Sequence, residues 1–574
     1  MSATFAAPSS VPAKHQDPEK ARREAVESIV VAIVLAFLFR AFEAEAFVIP
    51  TGSMAPTLQG RHKDLNCPEC GFLYRTGATA DMDGLTDNVQ AVKCPMCFYT
   101  VAIDPRNPQH KSHSGDRILV NKFAYEAPFG EPDRWDVIVF KYPGNAKQNY
   151  IKRLVGLPHE TIRIRHGDIF VQDNGADATD DKFHIARKSH EKIPYLLQDV
   201  HDTAYQSETL KAVGWPLNWQ PGDGSSAWQS PDAGATYECP ATPEVSWLNF
   251  RQHELTFDMW DAVLQIKAHN QQVNSEQVRT IPVTDFYAYN AHSDGSFARY
   301  SHPRPMGDHW VGDLAVDADF EIQGDTGQVA FDLIEGGRHH QCVVDVATGK
   351  LTLQINEGQF AFSNDAGEQW QVVSADTTIK GPGNYRLRFA NLDDELHVWI
   401  NDSYVTFDRP TTYQSPESER PVWSSADPGD MQPVRVGVSR TPVKVNQLRV
   451  LRDIYYIATN STSDSPIDYP MNRYSLQMIS EHLKRPQDWR NGDLFDDRRQ
   501  VEFKLDADQF FPLGDNSPYS KDGRMWGREY YVERELLIGK AVLVYWPHGW
   551  PLRVPIIGRT FSIWPNFRRM GLIH

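Results

Sequence analysis

A serine near the N-terminus is the first candidate for chemistry in this sequence. Ser53 stands in the stretch IPTGSMAPTL, between Gly52 and Met54, with Pro50 and Pro56 three residues away on either side. Proline fixes φ and lacks an N–H donor, so this stretch cannot lie inside a helix or a central strand. We expect a rigid exposed loop that presents the Ser53 hydroxyl. Such a loop suits a nucleophile, and it equally suits an ordinary surface turn.

The base for such a nucleophile would be Lys152, in the stretch YIKRLVGLP. Because side chains alternate across a strand, Tyr150 and Leu154 share the face of Lys152. A lysine at its ordinary pKa of about 10.4 is protonated and cannot act as a base. Burial between an aromatic ring and a leucine disfavours the charged form and lowers the pKa. For Lys152 taken alone, a lysine that reaches solvent from an edge strand is the alternative.

A third stretch, LGDNSPYSKDGRMWG (513–527), is dense in Asp, Asn, Ser and Gly. This composition is typical of a tight, hydrogen-bonded loop. Asp522 and Arg524 are spaced for a local ion pair, and the Ser520 hydroxyl could point at a neighbouring amine. A polar surface loop is the alternative for any one of these residues.

Strands must position these stretches. The segments 115–123 (GDRILVNKF), 135–142 (WDVIVFKY) and 150–158 (YIKRLVGLP) are rich in β-branched and aromatic residues. Pro143-Gly144 ends the second segment. We predict three β-strands here.

A mainly apolar run from Ala25 to Phe42 precedes the serine stretch and approaches the ~20 residues that span a bilayer. Four basic residues come before it, which favours a cytoplasmic N-terminus. We predict a cytoplasmic tail over 1–24 and a single transmembrane anchor over 25–45, with the rest of the chain outside the cell (inner) membrane. A cleaved signal peptide is the alternative, because Ala44-Glu45-Ala46 mimics a cleavage site.

Two Cys-x-x-Cys knuckles follow, Cys67 with Cys70 and Cys94 with Cys97, with 23 residues between them. This spacing predicts a tetrahedral zinc site with four thiolate ligands. Because sulfur fills all four positions, the zinc would be structural, and we expect no cofactor for catalysis. Two disulfides are the alternative, which an oxidising compartment would permit.

Length and composition limit the classes of protein. A chain of 574 residues is too long for one core and predicts several domains. A net charge of −17 argues against a nucleic-acid partner, because phosphate binding needs a basic surface. Six cysteines are too few for a disulfide-built scaffold.

A long block separates the lysine stretch from the third stretch. From 314 to 400 apolar residues alternate in short runs separated by turns rich in Gly and Asn, which predicts an all-β sandwich. The segment GNYRLRFANLDDELHVWINDSYVTF resembles hairpins of concanavalin-like (laminin-G-like) jelly rolls, modules that often bind sugars or proteins. Cys342 is expected to be a buried free thiol, and a bridge to Cys239 is the alternative.

Six stretches together resemble, in order and spacing, the type I signal peptidase (leader peptidase) family of membrane-bound Ser-Lys endopeptidases. They are FVIPTGSMAPTL, GDRILVNKFAY, RWDVIVFKYP, YIKRLVGLP, LGDNSPYSKDGRMWG and LIGKAVLVYWP. The resemblance covers roughly 20–60, 112–170 and 500–574. It implies an enzyme that removes signal peptides from exported preproteins by cutting after Ala-x-Ala, with preproteins and membrane lipid as partners.

The resemblance also implies roles for single residues. Ser53 would be the nucleophile and a neutral Lys152 its general base, held in position by a hydrogen bond from Ser520. The Ser53 N–H and the Thr51 hydroxyl would receive the oxyanion. Two structural ion pairs would hold the final loop against the lysine strand: Asp522 with Arg524, and Asp515 with Arg153. Six residues would line the substrate pocket: Phe47, Ile49, Met54, Leu58, Tyr150 and Ile151.

The predicted fold class is therefore mainly β: a signal-peptidase β-core with an N-terminal transmembrane helix, an inserted zinc-ribbon-like loop and an inserted β-sandwich (jelly roll). The predicted segments after the anchor are 46–170 (peptidase core, first part, with the zinc-ribbon-like insertion 61–111), 171–285 (irregular accessory insertion), 286–457 (sandwich), 458–499 (connector) and 500–574 (peptidase core, second part). A catalytically decayed surface-displayed protein, whose sandwich binds a carbohydrate or a protein, is the alternative function. The joint presence of Ser53, Lys152, Ser520 and the Asp522/Arg524 pair favours the enzyme, because a decayed enzyme need not keep them together.

Overall fold

The computed structural model describes residues 22–23, 26–32, 44–79, 89–126, 128, 130–175, 182–222, 224, 226–294, 307–364, 366–460, 466–554, 559–564 and 566–574. Over these residues the protein is mainly β, which confirms the predicted fold class at that level. The α-helices with full bounds are Ile193–Leu196, Glu208–Ala212, Phe257–Ala268 and Leu476–Leu483.

The predicted anchor falls mostly outside the described residues. Residues 26–32 are helical, residues 33–43 are not described, and a strand begins at Ala44. Among the helices that the structure does describe, none is both long enough and apolar enough to cross a bilayer. The predicted tail, apart from residues 22–23, also lies outside the described part.

An eight-stranded antiparallel sheet combines strands from both parts of the predicted core, 46–170 and 500–574. Its strands lie in the order Ala44–Val48, Arg117–Asn121, Leu537–Trp546, Val137–Tyr142, Asn145–Gly156, Gln509–Leu513 and Val532–Glu533, and Gly571–Leu572 pairs with Leu537–Trp546. The three strands predicted from 115 to 158 are confirmed. Val137–Tyr142 lies in the middle of this sheet. Its first four side chains, Val-Ile-Val-Phe, are all buried, which fits a strand that is covered on both faces.

This sheet explains how distant stretches meet. Asn145–Gly156, here called the lysine strand, pairs with Gln509–Leu513, and Leu513 lies opposite Arg153. The loop that follows Leu513 therefore emerges beside Lys152. A second, four-stranded sheet, in the order His184–Ile185, Asp168–Asp173, Glu160–Arg165 and Gln500–Lys504, continues from the lysine strand.

Two seven-stranded antiparallel sheets form the inserted sandwich, and their inward side chains make one hydrophobic core. One sheet contains Gln198–Asp202, Val443–Arg452, Leu314–Ile322, Gly383–Leu392, Glu395–Ile400 and Ser403–Tyr404 in that order, with Tyr237–Cys239 beside Val443–Arg452. The other contains Trp219–Pro221, Ser246–Phe250, Val434–Ser439, Gln328–Glu335, Arg338–Asp345, Lys350–Ile355 and Val372–Asp376. The alternating runs predicted as strands are confirmed.

The predicted boundary of the sandwich at 286 is wrong. Four strands between 198 and 250 belong to its two sheets. Each is only three to five residues long, so none shows the sustained alternation that marked the later strands. Their burial is decided by the long strands beside them.

A further part of the predicted irregular insertion covers the cysteine-bearing region, residues 62–103, here called the cysteine module. Trp260 and Val263, on helix Phe257–Ala268, pack in one hydrophobic cluster with the four knuckle cysteines. The Trp260 indole N–H donates to the Cys97 carbonyl at 2.9 Å. The described residues of 171–285 are thus divided among the four-stranded sheet, the sandwich and the cover of the cysteine module, and they do not form a separate irregular unit.

Short elements complete the fold. Small sheets pair His62–Asn66 with Leu73–Gly77, Val89–Lys93 with Thr100–Ala102 and His292–Asp294, Gln252–His253 with Thr280–Ile281, Phe362–Ser363 with Gln369–Trp370, and Trp550–Val554 with Arg559–Trp564. Single 3₁₀ turns span Gly52–Met54, Pro108–His110, Lys122–Tyr125, Ser275–Gln277, Ala288–Asn290, Asn356–Gly358, Gly429–Met431, Pro486–Asp488, Ser517–Tyr519, Gly523–Met525, Arg534–Leu536 and Phe567–Arg569. In the predicted connector, helix Leu476–Leu483 packs against Trp489 and Phe495.

Cys239 and Cys342 are both buried free thiols in the sandwich core. The bridge considered between them is not formed. Burial in an apolar core raises the pKa of the Cys342 thiol, which keeps it protonated.

Candidate active site

The serine loop, Ile49–Leu58, folds around one 3₁₀ turn at Gly52–Met54. The Ala55 N–H donates to the Gly52 carbonyl at 3.1 Å, and the Leu58 N–H donates to the Met54 carbonyl at 2.8 Å. Met54 and Leu58 are fully buried in the cluster beneath the loop. These two anchors hold the turn down and leave Ser53 facing the lysine strand.

Lys152 directs its amine at Ser53. Its Nζ donates to Ser53 Oγ at 2.7 Å and to the Ile151 carbonyl at 2.9 Å. Only 4% of Lys152 is exposed, and its Nζ lies 5.5 Å from the centroid of the Tyr150 ring. The structure therefore brings together the serine and the lysine that the sequence singled out.

Burial lowers the pKa of Lys152 to about 8. The carboxylates of Asp522 and Asp515 act in the opposite direction, and the Arg524 charge adds to the lowering. Desolvation is the largest cause, because an ammonium in an apolar site loses the water that stabilises its charge. A neutral amine is thus accessible in mildly alkaline solution.

The neighbouring Arg153 forms a buried ion pair with Asp515. Its Nε and Nη2 donate to the two oxygens of Asp515, both at 2.7 Å, and neither side chain is exposed. The Thr57 hydroxyl donates to Asp515 Oδ2 at 2.5 Å. This network joins the serine loop, the lysine strand and the 514–526 loop.

Asp522 and Arg524 form the second buried ion pair, with Arg524 Nη2 2.8 Å from Asp522 Oδ2. The Gly514 N–H donates to the same carboxylate at 3.0 Å. Arg524 also donates to the Ile457 carbonyl and to Ser517 Oγ, each at 2.9 Å. The pair therefore holds the 514–526 loop in shape through bonds within the loop and to the Ile457 carbonyl.

The predicted hydrogen bond between Ser520 and Lys152 is absent from the structure. The Ser520 hydroxyl is buried and has no hydrogen-bond partner among the described residues. It packs against Gly514, where an added Cβ would lie 2.1 Å from Ser520 Oγ. The lysine amine is instead directed by the Ile151 carbonyl and by Ser53 itself.

An asparagine pair that the sequence did not single out holds the serine loop from the other side. Asn516 donates from its backbone N–H to the Ser53 carbonyl at 3.1 Å and from its side chain to the Gly52 carbonyl at 3.0 Å. Asn290, from the insertion, and Asn516 exchange side-chain hydrogen bonds of 2.6 and 2.9 Å. Asn516 lay within the third stretch, but nothing in the sequence connected Asn290 with it.

Tyr289 occupies the space above Gly52. A Cβ added to Gly52 would lie 2.3 Å from the Tyr289 ring, so only glycine allows this approach. A glycine at a turn is expected to serve a backbone conformation that other residues avoid. The role of Gly52 in the structure is instead to admit the ring of an inserted residue against the serine loop.

Ser53 and Lys152 lie in a cleft of about 480 Å³. The lining residues are Ile49, Pro50, Thr51, Gly52, Ser53, Gly77, Thr79, Asn149, Tyr150, Ile151, Lys152, Tyr289, Asn290, His292, Asn516, Tyr519 and Lys521. Thr51 directly precedes the 3₁₀ turn Gly52–Met54 and is exposed. Its side chain makes no hydrogen bond that caps the turn. The cysteine module and the segment that contains Tyr289 and Asn290 thus contribute to the lining of the cleft.

Three of the six predicted pocket residues line this cleft: Ile49, Tyr150 and Ile151. The prediction is wrong for Met54 and Leu58, whose side chains point down into the core that anchors the turn. Phe47 is half-buried against the same core and does not line the cleft. The reason is the 3₁₀ turn, which sends the side chain after Ser53 inward.

The four knuckle cysteines converge within the cysteine module. Their sulfur atoms all lie within 4.8 Å of one another, and all four thiols are free and buried. Cys67 Sγ is 3.5 Å from Cys97 Sγ, and Cys70 Sγ is 3.6 Å from Cys94 Sγ. These distances exclude disulfides in the structure and approach the edge of about 3.8 Å that Zn–S bonds of about 2.3 Å give in a tetrahedron.

The sequence has partial matches to known proteins. Residues 89–213 and 440–546 match the profile of the family described as signal peptidase, peptidase S26. A 59-residue segment is 52% identical to signal peptidase I of Pseudomonas aeruginosa, and it covers 8% of this chain and 21% of that protein. A 169-residue segment is 27% identical to signal peptidase I of Rickettsia rickettsii and covers 29% and 49%. The probable signal peptidase I-2 of Synechocystis is 24% identical over 32% of this chain and 61% of its own length.

These matches support a relationship to the type I signal peptidase family, although each spans less than two thirds of the relative. Among solved structures, a carbohydrate-binding module, CBM66, from Bacillus subtilis aligns with 41% of this chain and 98% of its own, at 11% identity and a TM-score of 0.22. A galectin from Caenorhabditis elegans aligns with 24% of this chain and 83% of its own, at 8% identity and a TM-score of 0.16.

Proposed function

We propose that this chain is a membrane-anchored type I signal peptidase, a serine endopeptidase that removes signal peptides from exported preproteins. The observation that carries the proposal is the distance of 2.7 Å between Lys152 Nζ and Ser53 Oγ inside a cleft. The partial matches to signal peptidases support the same class of enzyme.

The reaction follows from the two groups. Neutral Lys152 takes the proton of the Ser53 hydroxyl while Oγ attacks the scissile carbonyl carbon. The resulting ammonium then gives this proton to the departing amine, which leaves an acyl-enzyme on Ser53. A water molecule, deprotonated by the same lysine, attacks the ester. The lysine ammonium then returns this proton to Ser53 Oγ as it leaves, which releases the signal peptide as a carboxylic acid and restores the enzyme. The Ser53 N–H and the Thr51 hydroxyl would stabilise the oxyanion formed in both steps.

Substrate choice would depend on the apolar part of the cleft. Ile49, Tyr150 and Ile151 line the same cleft as Lys152 and give its wall large apolar side chains. Small residues such as alanine fit a shallow apolar wall of this kind better than large ones. This agrees with cleavage after Ala-x-Ala sites. The partners would be exported preproteins and membrane lipid, with the catalytic domain on the extracytoplasmic side of the cell membrane.

Zinc at the four knuckle cysteines would have a structural role. The sulfur–sulfur distances suit tetrahedral coordination, and four thiolates leave no position open for a substrate or a water molecule. Cys67, Cys70, Cys94 and Cys97 would hold the metal. The bound zinc would fix the cysteine module, whose residues Gly77 and Thr79 reach the catalytic cleft.

Ligand binding by the sandwich is a second candidate function, alongside peptidase activity. A cavity of about 510 Å³ on the sandwich is lined by aromatic and charged side chains, among them Trp399, Tyr404, Arg386 and Glu191. Aromatic faces next to charged groups suit a carbohydrate or a protein segment. Binding of an immobilised polysaccharide that is weakened by Tyr404→Ala would support this role.

Digestion of a preprotein by the purified full-length protein in detergent tests the peptidase. We expect cleavage after an Ala-x-Ala site, and loss of cleavage in both Ser53→Ala and Lys152→Ala. Lys147→Ala is the matched control, because Lys147 is an exposed lysine on the same strand and should leave the rate unchanged. Cleavage that persists in either active-site variant would refute the Ser-Lys assignment.

A further inference from the structure

A second cavity adjoins the catalytic cleft, and the proposed reaction does not use it. Asn290 and Tyr519 line both spaces, so the two meet at these residues. Beyond them the second cavity, here called the side cavity, is lined mainly by apolar and aromatic residues, which include Phe286, Tyr287, Ile457 and Pro518. The segment that carries Asn290 therefore contributes to the cleft and to the space next to it.

Tyr519 presents an exposed aromatic ring where the two spaces meet. The residue is 55% exposed and ends the single 3₁₀ turn Ser517–Tyr519. Its backbone N–H donates to the Asn516 carbonyl at 3.0 Å, and Asn516 in turn donates to the Ser53 carbonyl at 3.1 Å. The ring is thus fixed close to the nucleophile, where a bound peptide would cover its apolar surface.

The two sides of a scissile bond would occupy different parts of the cleft. In the proposed function, the residues before the bond lie against the apolar lining that includes Ile49 and Ile151. The part of the cleft beside Asn516 is then left for the residues after the bond. Asn290 exchanges hydrogen bonds of 2.6 and 2.9 Å with Asn516, so the side cavity begins only a few residues of extended peptide away from Ser53.

The size and charge of the side cavity select what it can hold. Its volume of about 40 Å³ has room for about three water molecules at ~10–15 Å³ each, which corresponds to one aliphatic side chain such as leucine and not to an indole ring. Asp285 and Asp308 also line the cavity, so an acidic side chain would meet negative charge there. An aliphatic side chain would instead bury apolar surface against Phe286 and Tyr519.

We propose that the side cavity binds an aliphatic side chain from one of the first four residues of the mature protein, on the amine side of the scissile bond. Tyr519 and Phe286 would determine this preference. The inference rests on the proposed function, because it concerns the substrate of the same cleft. It adds a contact with the mature protein to the contacts with the signal peptide.

Cleavage of a preprotein series by the purified full-length protein in detergent tests the proposal. Leucine is placed in turn at each of the first four mature positions and compared with asparagine, which has a similar size and a polar amide. We expect leucine to raise kcat/KM about tenfold at one position, because filling an apolar pocket changes this ratio by about tenfold or more. Tryptophan at that position should lose the gain. Equal kcat/KM for leucine and asparagine at all four positions would overturn the proposal.

Two variants assign the preference to the side cavity. Tyr519→Ala and Phe286→Leu should each lower the ratio of kcat/KM for leucine to that for asparagine, and Phe286→Leu keeps an apolar side chain against the Phe98 ring, 5.4 Å away. Phe567→Ala is the matched control, because Phe567 is 64% exposed, lies in the single 3₁₀ turn Phe567–Arg569 and lines neither cavity. It should keep the wild-type ratio. A wild-type ratio in both cavity variants would contradict the proposal.

The same series separates this inference from the proposed function. If the wild type cuts every substrate, Ser53→Ala cuts none and leucine brings no gain, the peptidase stands and the side cavity is refuted as a subsite. If the wild type cuts no substrate of the series, the proposed function is refuted and the inference falls with it.

Discussion

Arg153 on the lysine strand and Asp515 on the 514–526 loop form a fully buried, bidentate ion pair next to the candidate catalytic lysine. Arg153 follows Lys152 directly, and Asp515 precedes Asn516, which donates to the Ser53 carbonyl. One pair of charges thus sets the distance between the base and the nucleophile's loop.

Asp515→Ala should destabilise the protein strongly, because it leaves Arg153 buried without a counter-charge. Loss of one partner of a buried ion pair typically costs about 3–5 kcal/mol. The free energy of unfolding in urea measures this. Glu502→Ala is the matched control: it removes the half-exposed pair with Arg163 and should cost less than about 1 kcal/mol. Similar losses of unfolding free energy in the two variants would show that the buried pair stabilises the protein no more than the half-exposed pair does.

The rate of cleavage should rise with pH through about 8. Burial lowers the pKa of Lys152 to about 8, and only the neutral amine can accept the Ser53 proton. Below this pH the amine is protonated and kcat/KM should fall about tenfold per pH unit, while above it the rate should level off. A pH profile of kcat/KM from 6 to 10 checks this. A profile that is flat across this range would exclude Lys152 as the titrating base.

Asn290→Ala should slow cleavage without unfolding the protein. The change removes both hydrogen bonds to Asn516 and lets the side chain that supports the Gly52 carbonyl move. The loss of one hydrogen bond that positions the serine loop costs about 1 kcal/mol. If this cost falls on the transition state, kcat should fall roughly five- to tenfold. Asn274→Ala, at the exposed N-cap of the 3₁₀ turn Ser275–Gln277, serves as the control. Equal kcat in the two variants would show that Asn290 does not position the serine loop.

Thr51→Val should lower kcat by about 100-fold or more and leave the unfolding transition unchanged. Loss of one oxyanion donor costs roughly 10²–10³ in rate at comparable sites. Thr79→Val is the control, because Thr79 lines the same cleft from the cysteine module. Unchanged turnover in Thr51→Val would remove Thr51 from the site.

Cys67→Ser should release the zinc of the cysteine module and loosen the wall that it forms. The four sulfurs share a buried cluster with Trp260, so loss of the metal should expose this region to proteolysis. Elemental analysis and limited proteolysis measure the two effects. Cys239→Ala removes a buried thiol far from the knuckles in sequence and should leave the zinc content unchanged. Absence of zinc from the cysteine module of the wild-type protein would contradict the prediction.

The sequence by itself determined the local features. Proline and glycine around Ser53 restrict the backbone directly, β-branched runs such as Val137–Tyr142 select strands, and two Cys-x-x-Cys knuckles have a spacing that few other structures use. The pairing of Arg153 with Asp515 followed from the resemblance of short motifs. Each of these inferences depends on residues close together in the chain or on a known order of motifs.

Only the tertiary structure decided which distant residues meet. Tyr289 and Asn290 reach the serine loop because the sandwich and the cysteine module carry their segment there, and no local pattern encodes that approach. Ser520 packs its hydroxyl against Gly514 and makes no hydrogen bond with Lys152, and Met54 and Leu58 are buried in the cluster beneath the serine loop. Contacts of this kind depend on the packing of whole elements, whose energy is spread over many residues and leaves no signature in any short stretch.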